Sequence, residues 1–166
     1  MEAFDSYPGS RERAILIKGQ RGMGKTALLI EAAQLAQSHN FVAVRTTCGL
    51  EMLDNILDGL RINGAQFMEG KKPPVKGFSA GALGFSMGLT FSEEAERTLG
   101  FRAKLGLMCD KLAEVSKGVL LLVDEVQPGS DALRQLTTSY QELAGDGKDI
   151  AIVMAHMTDD VVKRQK

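Results

Sequence analysis

Short apolar runs alternate with amphipathic segments along most of the chain, and each pattern predicts a different kind of element. Runs that are short, aliphatic and bounded by polar residues or glycine are typical of strands buried in a parallel sheet. The predicted strands are 14–17, 41–47, 119–127 and 149–157, and the predicted helices are 27–37, 49–63, 93–117 and the segment between Pro128 and Gly145. Strands that alternate with helices predict an α/β fold with a mainly parallel sheet.

The segment 75–92 follows a different pattern. Every second residue from Phe85 to Phe91 is large and apolar, and the residues between them are small or polar. A period of two indicates a strand, so we predict an inserted β-hairpin over 75–92 with its turn near 80–84. The glycines of this segment also suggest a membrane-dimer G-x-x-x-G face or a second nucleotide loop. Both alternatives are weak, because the segment is polar and lacks a strand-then-helix context.

The length and composition predict one ordinary globular domain, 1–166, whose residues 1–12 are linker-like. The chain has 166 residues, of which 44% are hydrophobic and 25% are charged, and its formal net charge is -1. This charge gives no reason to expect a nucleic-acid partner. The longest aliphatic run is too short to span a membrane, and the first residues lack a secretory pattern. We therefore expect a cytoplasmic protein without membrane contact, with Cys48 and Cys109 as reduced, buried thiols.

The sequence from Gly19 to Thr26, GQRGMGKT, fills every required position of the pattern G-x-x-x-x-G-K-[ST]. Glycines at these positions let backbone N–H groups converge on an anion, Lys25 can reach the outer phosphates of a nucleotide, and the Thr26 hydroxyl can ligate Mg²⁺. The helix predicted directly afterwards adds the positive end of its dipole. The predicted nucleotide-binding residues are Gly19, Gln20, Arg21, Gly22, Met23, Gly24, Lys25, Thr26 and Ala27.

A second candidate motif is the pair of acids that ends the predicted strand 119–127. Ligands of open α/β sheets bind at the carboxyl ends of the strands, where Asp124 and Glu125 stand. Asp124 suits a contact with Mg²⁺, to which Thr26 would also bind. Glu125 suits the carboxylate that orients and deprotonates an attacking water, so we predict Glu125 and Lys25 as the catalytic residues. The alternative is that the two acids only cap the next helix.

His156 and Thr158 stand at the end of the fourth predicted strand, where a polar side chain could contact a γ-phosphate. We therefore predict them as candidate sensors of the nucleotide. Two alternatives stay open. A lone histidine more often has a structural role, and Thr158 could instead cap a short helix predicted over 159–166.

The segments GQRGMGKT, VLLLVDEVQ and IAIVMA resemble the Walker A, Walker B and sensor-1 strands of the AAA+ class of P-loop ATPases. Within that class the chain most resembles predicted bacterial and archaeal ATP-binding proteins related to replication initiators, because RGMGKTALLIEAAQLAQ is followed by a strand and later by DEVQ. The resemblance covers 14–157. It implies a three-layer P-loop NTPase sandwich with the P-loop strand central, ATP or ADP bound by Gly19 to Thr26, Mg²⁺ near Thr26 and Asp124, and Glu125 as the catalytic carboxylate.

The chain also departs from that family. Such ATPases continue into a fifth strand and a helical lid with a second sensor, whereas this sequence stops at Lys166. We therefore expect an incomplete ATPase domain without a lid. The arginine finger of many relatives has Arg164 as its candidate counterpart, and loss of such a finger lowers turnover by roughly 10³ to 10⁵ fold. DNA binding follows only by analogy with the family, and a homo-oligomer or another protein partner is a further possibility.

These patterns together predict Mg²⁺-dependent ATP hydrolysis coupled to a conformational change. One alternative is a nucleotide-controlled switch or scaffold without significant turnover. A second alternative, suggested by DEVQ, is a fragment of a DExx helicase-like motor. A GTPase is disfavoured because the sequence lacks an N/T-K-x-D motif and a D-x-x-G motif after the second acid strand.

Overall fold

The computed structural model of the chain describes residues 2–68 and 85–158. In these ranges no helix is long and apolar enough to cross a membrane. The elements in chain order are α1 (Glu2–Asp5), a 3₁₀ helix (Arg11–Arg13), β1 (Ala14–Gly19), α2 (Lys25–Ser38), β2 (Phe41–Thr47), α3 (Met52–Met68), β3 (Phe85–Met87), β4 (Thr90–Phe91), α4 (Glu93–Thr98), α5 (Phe101–Ala113), β5 (Gly118–Val126), α6 (Asp131–Gly145) and β6 (Ile150–Met157).

Within 2–68 and 85–158 the main sheet has four parallel strands in the order β1-β6-β5-β2. The central strands β5 and β6 are almost wholly aliphatic and buried, as expected for strands covered on both faces. One face of the sheet packs against α3, α5 and α6, and the opposite face packs against α2 and Phe4 of α1. The predicted α/β fold with a mainly parallel sheet is therefore confirmed, and its helices form layers on both faces.

In the described residues β1 lies at an edge of this sheet, so the predicted central position of the P-loop strand is wrong for this part of the chain. β1 pairs there only with β6. Ile15 and Leu16 point to opposite faces and are 42% and 47% exposed. A short aliphatic run indicates a strand with apolar residues on both faces, but the lateral order of strands depends on which neighbours pair with it.

The different burial of β1 and β5 predicts different costs of truncation. Leu122 in β5 is 0% exposed, whereas Leu16 in β1 is 47% exposed. We expect Leu122→Ala to lower the free energy of unfolding by about 2–5 kcal/mol, because it leaves a cavity. Leu16→Ala should cost only about 1 kcal/mol, because about half of that side chain is already in water. Urea denaturation of both variants measures the difference. Equal losses would show that β1 is covered in solution.

The helix predicted over 93–117 is divided into α4 and α5. The Ser92 hydroxyl accepts a hydrogen bond from Ala95 N and caps α4, whereas Leu99 has the extended dihedrals φ -90° and ψ 132° that end it. Gly100 then precedes α5. The mostly buried Lys104 ammonium donates to the Glu96 backbone oxygen at 3.0 Å and to its carboxylate at 2.9 Å. Apolar periodicity alone did not indicate this break, because both helices contribute residues to the same core.

Gly64 lies inside α3 and does not end the second predicted helix, which continues to Met68. A Cβ atom at this position would overlap the side chain of Leu89. The glycine therefore permits close packing of α3 against the turn after β3, and the predicted helix end at 63 is wrong.

Only part of the predicted hairpin can be compared with the structure, since 69–84 lie outside the described residues, including the turn predicted near 80–84. The remaining alternating segment is not one strand. β3 and β4 pair with each other in antiparallel fashion, and the chain reverses at Gly88 and Leu89. Gly88 has a φ of 55°, which a glycine adopts at little cost.

Part of the amino-terminal segment predicted as linker-like packs against the sheet. Arg13, the first residue after 1–12, is buried, forms an ion pair with Asp149, and donates to the backbone oxygen of Ser6 within that segment. Its guanidinium also lies 5.2 Å from the centroid of the Phe41 ring. These contacts attach the segment to the end of the sheet opposite the loop after β1.

The two cysteines differ in burial. Cys109 lies in the core, where burial raises the pKa of its thiol to about 12, so the thiol stays protonated at neutral pH. Cys48 is only partly buried. Both are free thiols, so the prediction of burial is confirmed for Cys109 and is only partly correct for Cys48.

Candidate functional site

The loop between β1 and α2 reverses the chain at two glycines. Gly22 has a φ of 82°, and Gly24, which immediately precedes α2, has a φ of 80°. A Cβ atom at either position would meet no atom within 4 Å, so the requirement for glycine comes from the backbone conformation rather than from space. Gln20, Arg21 and Met23 lie in the same exposed loop.

The first turn of α2 directs backbone donors toward this loop. Leu28 N makes the first hydrogen bond along the helix, to Gly24 O at 3.0 Å. The N–H groups of Lys25, Thr26 and Ala27 precede that bond, and such groups lack partners within a helix. Gly24 has no side chain that could cap them. These donors and the positive end of the helix dipole therefore form an arrangement that suits an anion.

The Lys25 side chain folds back over the loop. Its ammonium donates to Gly19 O at 2.6 Å and to Gln20 O at 2.5 Å. Gly19 O also accepts a bond from Thr158 N at 3.1 Å, which continues the pairing of β1 with β6. The ammonium is thus held beside the donors of α2, at a position where it would add a full positive charge to the anion site.

Thr26 and Asp124 meet at the carboxyl end of the sheet although they are 98 positions apart in sequence. The Thr26 hydroxyl donates to Asp124 Oδ2 at 2.6 Å. The second carboxylate oxygen, Oδ1, accepts from Glu125 N at 2.9 Å. The backbone of Asp124 is also held, because its carbonyl oxygen accepts from Cys48 N at 2.9 Å. Sequence patterns predicted both side chains for the site, but did not predict the contribution of Cys48.

The donor set of Thr26 and Asp124 fits Mg²⁺. Hydroxyl and carboxylate oxygens are hard ligands, and Mg²⁺ that accompanies phosphates usually takes only one or two protein ligands and completes its shell with water and phosphate oxygen. The described residues contain no group of three or more His, Cys, Asp or Glu that could hold a metal by itself. A pair of oxygen ligands beside a loop that suits an anion is therefore the arrangement that this part of the chain offers.

Glu125 adopts an unusual backbone conformation beside this pair. Its φ is 52°, in the left-handed region, which costs a residue with a Cβ about 1–2 kcal/mol. The pairing of β5 with β6 changes register here, since Val123 is opposite Met154 and Val126 is opposite His156. Glu125 is exposed, and the described residues offer its carboxylate no hydrogen bond or ion pair. This carboxylate is therefore open to solvent beside Asp124.

His156 and Thr158, the candidate sensors, both contact the backbone of neighbouring segments. His156 Nδ1 lies 2.8 Å from Val126 O. By strand alternation His156 shares a face with Met154, which packs on the side of α6, whereas Thr26 and Asp124 meet on the side of α2. Thr158 contacts the loop through its backbone N–H. Its predicted role as a helix cap concerns 159–166, which lie outside the described residues.

The arrangement brings together converging N–H groups, a lysine ammonium, a hydroxyl–carboxylate pair and an exposed carboxylate. Such a set can bind a polyphosphate with a divalent cation and present a base to water at its end. Sequence patterns missed the β5 bulge, although a signal was present: Val123 and Val126 are three positions apart and both are apolar.

In comparisons with known proteins, no family model matches the chain and no curated protein matches it significantly.

Proposed function

We propose that the chain binds ATP or ADP with Mg²⁺ and hydrolyses ATP in the manner of a P-loop ATPase of the AAA+ type. The observation that carries this proposal is the 2.6 Å hydrogen bond between Thr26 and Asp124. It joins a complete phosphate-loop pattern to the acids that end a buried parallel strand. A glycine-rich turn without a nucleotide would have no need of this contact.

The loop would bind the phosphates by exchanging internal contacts for ligand contacts. The N–H groups at the start of α2 would donate to phosphate oxygens. Lys25 would exchange Gly19 O and Gln20 O for phosphate oxygens, whose negative charge attracts the ammonium more strongly than a neutral carbonyl oxygen does. This exchange favours nucleotides with several phosphates over a nucleoside.

Thr26 Oγ1 and Asp124 Oδ2 are the atoms that would hold the cation. When bound, Mg²⁺ supplies positive charge that neutralises the phosphate oxygens. Glu125 would orient a water and accept its proton, because its carboxylate is exposed next to Asp124 and is not engaged by other described residues. Each side chain thus has one proposed role. Lys25 would bind the phosphates, Thr26 and Asp124 would hold the cation, and Glu125 would activate the water.

The variant Thr26→Val tests the cation site because it replaces the hydroxyl by a methyl group and keeps the shape of the side chain. For the unaltered chain we expect Mg²⁺ to raise the affinity for ATP about tenfold or more over the affinity in EDTA, which corresponds to about 1.4 kcal/mol. In Thr26→Val the two affinities should be nearly equal. Isothermal titration calorimetry with and without Mg²⁺ measures both values.

Thr98→Val is the matched control. Its hydroxyl donates to Glu94 O within α4, on an exposed surface. This variant should keep the full difference between Mg²⁺ and EDTA. If Thr26→Val also keeps that difference, the pair of Thr26 and Asp124 is not the cation site.

A further inference from the structure

The bulge in β5 determines which way Glu125 points. From Val123 to Val126 the strand advances three residues, while its partner β6 advances two, from Met154 to His156. Val123 and Val126 nevertheless pack in the same core, on the side of α3, α5 and α6. Residues three apart in a regular strand face opposite sides, so the extra residue is required to return Val126 to this core.

A regular strand would place Glu125 differently. It would stand opposite His156 and point into the side of the sheet where Val126 is now buried. An unpaired carboxylate there would lose its hydration. The bulge instead keeps Asp124 beside Thr26, buries Val126 and leaves Glu125 exposed in its left-handed conformation. The position of the proposed water-activating carboxylate therefore depends on the bulge.

Polar contacts hold the bulge at both ends. Before it, Asp124 O accepts from Cys48 N and Asp124 Oδ1 accepts from Glu125 N. After it, His156 Nδ1 lies 2.8 Å from Val126 O. A carbonyl oxygen can only accept, so Nδ1 carries the proton and donates. The imidazole of β6 is thus the side chain that bonds the backbone of β5 directly after the bulge.

We propose that His156 is a positioning residue, which donates from Nδ1 to Val126 O, holds the β5 bulge and thereby places Glu125 for water activation. This inference rests on the proposed function, since it assumes that Glu125 acts on water. It assigns His156 a role through the backbone of β5 and not through a contact with the nucleotide. The acting atom is Nδ1, whereas a direct sensor would use the outer nitrogen, Nε2.

Three variants of His156 distinguish these atoms. Asparagine can place its amide nitrogen close to the position of Nδ1, glutamine places its amide nitrogen closer to that of Nε2, and leucine has no donor. We expect His156→Leu and His156→Gln to lower kcat about tenfold or more while the Kd for ATP changes less than about twofold. His156→Asn should keep kcat within about threefold of the unaltered chain. Steady-state phosphate release and calorimetry measure the two constants.

Two outcomes of that series would overturn the proposal. Loss of turnover in His156→Asn equal to that in His156→Leu would show that the ring itself acts in the reaction. Unchanged turnover in His156→Leu would show that the bulge needs no side-chain donor. Circular dichroism at the assay temperature confirms that each variant is folded.

A double-mutant cycle measured by urea unfolding tests the bulge without an activity assay. Glycine tolerates the φ of 52° at position 125 better than alanine does. Glu125→Gly should therefore unfold at a higher urea concentration than Glu125→Ala. In a His156→Leu background this advantage should shrink or vanish, because the bulge is no longer held. An undiminished advantage would overturn the role of His156 even if ATP is hydrolysed. A different result would contradict the proposed function instead: the unaltered chain hydrolyses no ATP, although the stability effects of the substitutions at positions 125 and 156 depend on each other.

Discussion

Lys25→Ala is expected to weaken ATP binding about 100-fold or more, which corresponds to about 3 kcal/mol. The ammonium is already held over the loop by Gly19 O and Gln20 O, beside the N–H groups that begin α2. Alanine removes the full positive charge that would pair with the outer phosphates and leaves only the partial charges of the backbone. Each lost hydrogen bond to a charged group costs about 1.5–3 kcal/mol. Isothermal titration with ATP and Mg²⁺ measures the loss.

Lys148→Ala is the matched control for this loss of charge. Lys148 precedes β6 at the opposite end of the sheet and pairs with Asp110 on the surface. Its removal should leave ATP affinity unchanged and cost no more than about 1 kcal/mol of stability. Tight ATP binding by Lys25→Ala would refute the assignment of the loop as the phosphate site.

Glu125→Gln is expected to keep ATP binding and to lower the rate of hydrolysis by about 10² to 10⁴ fold, the usual range for loss of a general base. The amide has nearly the same shape as the carboxylate but cannot take a proton from water. Glu125 is exposed beside Asp124, and its N–H group, which bonds Asp124 Oδ1, is unaffected by the substitution. The hydrogen-bonded pair of Thr26 and Asp124 should therefore stay intact. Single-turnover phosphate release separates the chemical step from nucleotide binding.

Glu94→Gln is the matched control, because it makes the same chemical change on the exposed surface of α4. It should leave both the affinity for ATP and the rate of hydrolysis unchanged. If Glu125→Gln hydrolyses ATP as fast as the unaltered chain, another group activates the water. If the unaltered chain binds ATP tightly but releases no phosphate, a nucleotide-controlled switch or scaffold becomes the better account.

Much of the candidate site could be predicted from short stretches of the sequence. Gly22 and Gly24 adopt the left-handed backbone for which the loop pattern needs glycine, and Lys25 begins the following helix. These features depend on neighbours within a few positions, so a short pattern can predict them. The strand that ends in Asp124 and Glu125 was predictable for the same reason, since a buried parallel strand is a continuous aliphatic run.

Elements that depend on distant partners were predicted less well. The helix predicted over 49–63 continues to Met68, because Gly64 makes room for Leu89 from another part of the chain and does not end the helix. The single helix predicted over 93–117 is divided into α4 and α5, and the mostly buried Lys104 of α5 bonds Glu96 of α4. In both cases the deciding contact lies outside the window in which a period of three or four can be recognised.

The sequence by itself determined the alternation of strands and helices, the phosphate-loop pattern and the acids at the end of β5, because each depends on residue type and local spacing. Only the tertiary structure decided that β1 stands at an edge of the described sheet, that Thr26 meets Asp124, and that His156 bonds Val126 O. It also decided the bulge that exposes Glu125. The physical reason is that strand order, register and side-chain pairing arise from contacts between segments far apart in the chain, which compete for the same core and the same hydrogen bonds.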